Sequence, residues 1–263
     1  MASALFNRVN VPPGVLGSVL YNERPVPLAI EGVRRSHSRL FEALGELAER
    51  KERVDYFQGY MDVAFSLHQW RDEEVKRARL AIKNSYVRFL LGWIFDSNSR
   101  EGAVLKSWVE SRFGLAPTFH KEPLGERDCP AYFSYMKEMA KGLGATNAIY
   151  EQLDLLYEFI QAELLALHGD AAHITLFRGV HDFDEHRILS VDGGTRYKIR
   201  LNNLNSFTRD VERAWEFGTR VMEVRVPTPK VFFDGALLHG ALLQGEEEVL
   251  VIGGDYEIKL RWY

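Results

Sequence analysis

The 263-residue sequence predicts an α+β fold, with helices filling residues 1–170 and a mainly antiparallel β core filling 171–263. Apolar residues recur at three- and four-residue steps up to about residue 168, and from His173 the period shortens to that of strands. Helices therefore come first and strands afterwards, which argues against an alternating α/β sheet. The sequence leaves open whether the two regions are separate domains or one compact unit.

The elements follow in order. Pro12, Pro13, Pro25 and Pro27 mark an irregular beginning. Residues 28–50 carry Ile30, Val33, Leu40, Leu44 and Leu47 at helical spacing. Asp72 reads as the N-cap of a second helix, with Glu73 and Glu74 in its first turn and Val75, Ile82, Tyr86, Phe89 and Trp93 on one face. A segment at 99–113 ends at Gly114, which can take the left-handed cap conformation. Pro130 stands at a first helical position and opens 131–142, with Cys129 at the helix start. The clearest helix is 147–167, whose stripe is Ile149, Leu153, Leu156, Ile160, Leu164 and Leu167. Strands are expected at 173–177, 195–201, 219–226, 230–233, 247–252 and 255–262, with turns at Gly193-Gly194 and Gly253-Gly254. One short helix, 210–217, interrupts them.

Composition narrows the function classes. Apolar content of 46% and charged content of 27% belong to an ordinary globular protein. The net charge of −4 gives no broad footprint for nucleic acid. The single Cys129 excludes an intramolecular disulfide and a multi-thiolate metal site. Neither a signal-peptide pattern nor a bilayer-length apolar run occurs, so a cytoplasmic protein without membrane insertion is the expectation. His173, His181 and His186 lack a metal-ligand spacing and read as surface or strand-end residues; no metal is expected. Gly142-Leu143-Gly144 lacks the preceding strand of a dinucleotide fingerprint. Trp215, Phe217 and the aromatics of the helical region read most simply as core, although Trp215 or Phe217 could line a ligand pocket.

Three short constellations could carry chemistry. Gln244-Gly245-Glu246-Glu247-Glu248 stands directly before the apolar run Val249-Leu250-Val251-Ile252. On a strand, Glu246 and Glu248 project to one side about 7 Å apart, with Glu247 opposite. Phe177-Arg178-Gly179 ends a strand; arginine offers a planar fork for phosphate, and glycine permits close approach to the backbone. Ser206-Phe207-Thr208 ends another, with both hydroxyls on one face. Taken singly, each has an ordinary reading: a solvated acidic turn, a rim arginine and a helix-capping turn.

In order and placement, Arg178, Ser206-Phe207-Thr208 and Glu246-Glu247-Glu248 resemble the arginine–serine–glutamate class of mono-ADP-ribosyltransferases. Phe207 departs from the small residue common in that class. Asn7-Arg8-Val9-Asn10-Val11-Pro12-Pro13, Thr175-Leu176-Phe177-Arg178-Gly179, Leu204-Asn205-Ser206-Phe207-Thr208-Arg209 and Gly245-Glu246-Glu247-Glu248-Val249-Leu250 extend the similarity to the transferases that switch off nitrogenase. The resemblance implies that 171–263 is the NAD-binding core and that 1–170 frames the site. It implies NAD as the ADP-ribose donor and an arginine of the nitrogenase iron protein as acceptor. It also implies a PII-type nitrogen-signalling protein as regulator. Glu248 would stabilise the oxocarbenium-like transition state, oriented by Ser206. Arg178 would hold the pyrophosphate or nearby ribose, the Gly179 backbone the nicotinamide amide, and Thr208 the same pocket. Glu246 would grip the incoming guanidinium. Gln244-Gly245-Glu246 offers a second register, that of transfer to other acceptors; Glu248 is preferred because it directly precedes the apolar strand. The alternatives are a transferase with another protein target, an NAD glycohydrolase, or an NAD-binding module without catalysis, which the intact motif residues count against.

Overall fold

The computed structural model describes residues 6–67, 85–125, 128–144, 146, 148–183, 186–238 and 248–262. Among them the helices are α1 (Pro13–Leu16), α2 (Val19–Glu23), α3 (Val33–Ser36), α4 (Ser38–Glu46), α5 (Arg50–Ala64), α6 (Tyr86–Phe95), α7 (Arg100–Phe113), α8 (Pro130–Leu143), α9 (Ile149–His168) and α10 (Val211–Glu216). The strands are β1 (Phe119–His120), β2 (Glu122–Pro123), β3 (His173–Val180), β4 (Arg187–Asp192), β5 (Arg196–Thr208), β6 (Arg220–Pro227), β7 (Val231–Asp234) and β8 (Glu248–Trp262). The α+β reading holds: helices fill the first part, and an antiparallel six-stranded sheet, ordered β4-β5-β3-β6-β8-β7, fills the second. Among the described residues no helix is long and apolar enough to cross a membrane.

The local signals explain most element ends. Ser99 accepts a hydrogen bond from the Gly102 amide and starts α7, and Gly114 at φ 70° ends it. Pro130 opens α8 with Cys129 at the N-cap. Asp210 caps α10 by accepting from the Glu212 amide. The stretch expected to be one helix at 28–50 is divided instead. Ile30 is buried in an extended bridge with Val9, Gly32 at φ 81° begins α3, and Leu47 is extended before α5. The second expected helix also differs: Ser85 is extended at φ −115°, so α6 begins at Tyr86. Its upstream part, with Asp72, Val75 and Ile82, lies outside the described residues.

Helix α9 buries more than the predicted stripe. Leu155, Tyr157 and Phe159 are enclosed alongside Leu153, Leu156 and Ile160, whereas Leu167 is exposed. This wider burial brings carboxylates inside, each with a cationic partner. Asp154 receives Nε and Nη2 of Arg112 at 2.7 and 2.8 Å, and Trp108 Nε1 at 2.7 Å. Glu158 accepts from Arg34 and from the Ile30 amide, and Glu163 receives Arg53. One apolar cluster runs from Leu16 and Leu40 through Phe57, Trp108 and Phe159 to Leu176, Val224 and Ile252.

The final strand corrects another expectation. Gly253-Gly254 is not a turn; β8 continues through it. A Cβ on Gly253 would lie 1.6 Å from the Asn202 carbonyl oxygen, and Gly254 stands at φ 115° against Gly17. The pair lets one strand bend beneath the irregularity between Leu201 and Leu204 of β5. Strand β4 was not anticipated: all six of its residues are exposed, so it has no apolar alternation.

Two tests follow. Asp154→Ala leaves Arg112 buried without its carboxylate and should cost about 3–5 kcal/mol in a urea titration, whereas removing the more exposed Arg200–Asp255 pair should cost about 1 kcal/mol or less. Gly179→Ala places a Cβ 2.0 Å from the Ala214 carbonyl oxygen, forcing α10 off β3. It should destabilise by about 1–3 kcal/mol in the same titration.

Candidate active site

The three motif elements meet where β3, β5 and β8 lie side by side. Thr208, the last residue of β5, pairs with Phe177 of β3 on one edge and with Glu248 of β8 on the other. Directly opposed residues share a face, so Thr208 and Glu248 project together. Ser206 lies two residues back, opposite Leu250, and projects to that same side. Arg178 follows Phe177, and its Nη1 donates to the Ser206 carbonyl oxygen at 2.8 Å. Arg178, Ser206, Thr208 and Glu248 are thus gathered across a gap of 70 residues. Glu246, with Gln244 and Glu247, lies outside the described residues.

These residues line a cleft of about 370 Å³. Its walls are 177–179 and 206–208, Glu248, the α10 residues Arg213 and Ala214 with Phe217 beyond them, and 93–97 at the end of α6. A depression of about 840 Å³ lies elsewhere, between α2 and the strand face bearing Glu223, Arg225, Glu257 and Lys259. It is the larger of the two but contains none of the motif residues, and its charges alternate as on a solvated sheet face.

The Arg178 guanidinium is deeply placed. Its Nε is buried with no hydrogen-bond partner, a donor directed at neither carbonyl nor carboxylate. Burial pulls its pKa down, and the charge of Glu248 opposes that shift, which places the two groups within electrostatic reach. His186 is also part of this environment rather than a surface residue. It stacks on Phe183, its Nδ1 is buried, and burial together with the Arg178 charge holds the ring below the usual imidazole range. His173 is half-buried with Nε2 at 2.6 Å from the Asn22 carbonyl, and His181 is exposed.

Other motif positions have structural duties as well. Gly179 allows α10 to pack on β3, and this contact carries Phe217 over the cleft. Phe217 is exposed rather than core, and Trp215 does not line the cleft. Phe207 is 3% exposed within the apolar cluster, so its bulk anchors the end of β5. Thr208 Oγ1 accepts from the Asp210 amide at 3.1 Å, which ties the motif to the α10 cap.

The helical region supplies one wall, and motif reasoning missed it. Trp93 Nε1 donates to Ser206 Oγ at 2.8 Å. Trp93 was expected to be core and is 3% exposed, but a buried indole N–H needs an acceptor, and that requirement was the available signal. Over its ring, 5.7 Å from the centroid, lies Lys106 Nζ. Lys106 donates to the Phe119 carbonyl at 3.0 Å and to Asn98 Oδ1 at 3.3 Å. Burial pulls its pKa down to about 8, so it is largely cationic at neutral pH.

The family model described as dinitrogenase reductase ADP-ribosyltransferase matches residues 6–260. The chain is 41% identical over 258 residues to the NAD(+)–dinitrogen-reductase ADP-D-ribosyltransferase of Rhodospirillum rubrum, covering 96% of this chain and 93% of that protein. No solved structure matches. The chain therefore belongs to the dinitrogenase reductase ADP-ribosyltransferase family.

Proposed function

We propose that this chain transfers ADP-ribose from NAD to an arginine of the nitrogenase iron protein, which stops electron delivery by that protein. The observation that carries the reading is the single cleft holding Arg178, Ser206 and Glu248 in a chain matched along nearly its whole length by the family. The Rhodospirillum rubrum relative is named for this donor and this protein acceptor. The arginine specificity rests on the motif resemblance and a PII-type regulator on the resemblance along the whole chain, while a cytoplasmic location remains the expectation from the sequence.

The bond between nicotinamide and ribose breaks with its electron pair leaving on nicotinamide, and positive charge develops at the anomeric carbon and ring oxygen. Glu248 stabilises that charge at the edge of a partly enclosed cleft and accepts from a ribose hydroxyl. Ser206 orients Glu248. Arg178 holds the pyrophosphate or the adjacent ribose, and the Gly179 backbone meets the nicotinamide amide. Thr208, engaged with the Asp210 amide, keeps the cleft floor in register. Glu246 grips the acceptor guanidinium, whose nitrogen bonds to the anomeric carbon and loses one proton to solvent. Residues 1–170 frame the acceptor side through the 93–97 wall, and 171–263 form the NAD-binding core.

Three glutamine substitutions test these roles. Glu248→Gln keeps the shape but removes the charge, and should lower both protein labelling and nicotinamide release by about 10²–10³-fold. Glu246→Gln should abolish arginine labelling while slow NAD hydrolysis continues, with water in place of the guanidinium. Glu247→Gln should leave both activities within about twofold, the outcome expected if strand alternation turns it away from Glu246 and Glu248. Loss of hydrolysis in Glu246→Gln with retention in Glu248→Gln would establish the Gln244-Gly245-Glu246 register instead.

A further inference from the structure

The geometry points to Trp93 as a positioning residue for the transfer reaction, holding Ser206 so that its hydroxyl hydrogen faces Glu248. This inference rests on the NAD-cleft reading above and adds to it a residue from outside the β core.

Ser206 is fixed at two points. Its carbonyl oxygen accepts from Arg178 at 2.8 Å, and its Oγ accepts from Trp93 Nε1 at 2.8 Å. An indole nitrogen can only donate, so the bond occupies a lone pair of Oγ and cannot receive the serine hydrogen. That hydrogen must therefore go to an acceptor other than Trp93. On the shared face of β5 and β8, the nearest carboxylate across the ladder belongs to Glu248, the diagonal neighbour of Ser206. A hydroxyl rotor that would otherwise sample several staggered positions is thereby biased toward the carboxylate. In this arrangement Ser206 can deliver one hydrogen bond to Glu248 without reorganising during the reaction.

Trp93 is itself held firmly. It is 3% exposed, on α6, with the Lys106 ammonium above its ring at cation–π distance. Lys106 is 1% exposed and anchored on the Phe119 carbonyl and on Asn98, the residue that follows the 93–97 wall. A bond made only to satisfy a buried N–H would not have to end on the motif serine, the side chain that faces the same carboxylate as the reacting sugar.

The test is a double-substitution cycle on the full chain, reading kcat and KM for nicotinamide release from NAD. Ser206→Ala should lower kcat, and Trp93→Phe should lower it about tenfold with KM for NAD within about twofold. In the Ser206→Ala background, Trp93→Phe should cause no further loss, because its route to Glu248 is already gone. Equal fold losses in both backgrounds would show that Trp93 only supports the fold and would overturn the proposal. Should Trp93→Phe fail to fold, benzothienylalanine at position 93 keeps the ring shape while replacing the N–H by sulfur. It should reproduce the kcat loss, and wild-type kcat in that protein would overturn the proposal. An undiminished kcat in Ser206→Ala alone would remove the NAD-cleft reading itself, and this inference with it.

Discussion

Thr208 pairs with Phe177 on one edge and Glu248 on the other, and the site depends on the register of that row. The pairing of β3 with β5 is confined to this position, whereas β5 and β8 pair along most of their lengths. Because strand side chains alternate, a slip of one residue between β5 and β8 would turn Glu248 away from Ser206 and Thr208. Arg178, held to β5 by the Ser206 carbonyl, would then no longer meet Glu248 on the same side as Ser206 and Thr208. The backbone pairing thus sets which charges meet, before any ligand contact is considered.

That register is held from both sides. Phe207 and Leu204, on opposite faces of β5, both enter the apolar cluster, and β8 contributes Val249 to Ile252. The glycine pair at 253 and 254 lets the first part of β8 stay between β5 and β7 while the second part lies between β5 and β6. From above, α10 sits against Gly179 and α6 reaches down to Ser206. The helices are in turn fixed on α9, whose buried carboxylates each have a cationic or amide partner. Leaving one such charge unpaired costs far more than the pair contributes relative to an apolar substitute, which favours a single arrangement of the helices.

Much of this was legible in the sequence, for identifiable reasons. Gly114, Pro130 and Asp210 are local signals, and each marks an element end where local stereochemistry requires it. Arg178, Ser206 and Glu248 could be named because their order beside three strands resembles the transferase class, although each motif taken singly has an ordinary reading. The failures have a common cause in tertiary context. Gly253-Gly254 carries a turn composition, but close approach of Asn202 and Gly17 decides its conformation. The division of 28–50 reflects Ile30 pairing with Val9, a contact between segments that no periodicity within one segment reveals. Trp93 is buried with Tyr86 and Phe89, as the apolar stripe predicts, but a binary pattern does not record the hydrogen bond that its N–H makes to Ser206. Arg34, Arg53 and Arg112 likewise gave no sequence sign that their partners would be buried on α9.

The proposed NAD site lies where β3, β5 and β8 converge, under the wall supplied by α6. A crystal structure of the chain with NAD tests it most directly. The nicotinamide riboside should lie among Arg178, Ser206 and Glu248, with the Trp93–Ser206 hydrogen bond retained. Nicotinamide riboside density in the larger depression, among Glu223, Arg225, Glu257 and Lys259, with the motif cleft empty, would contradict it.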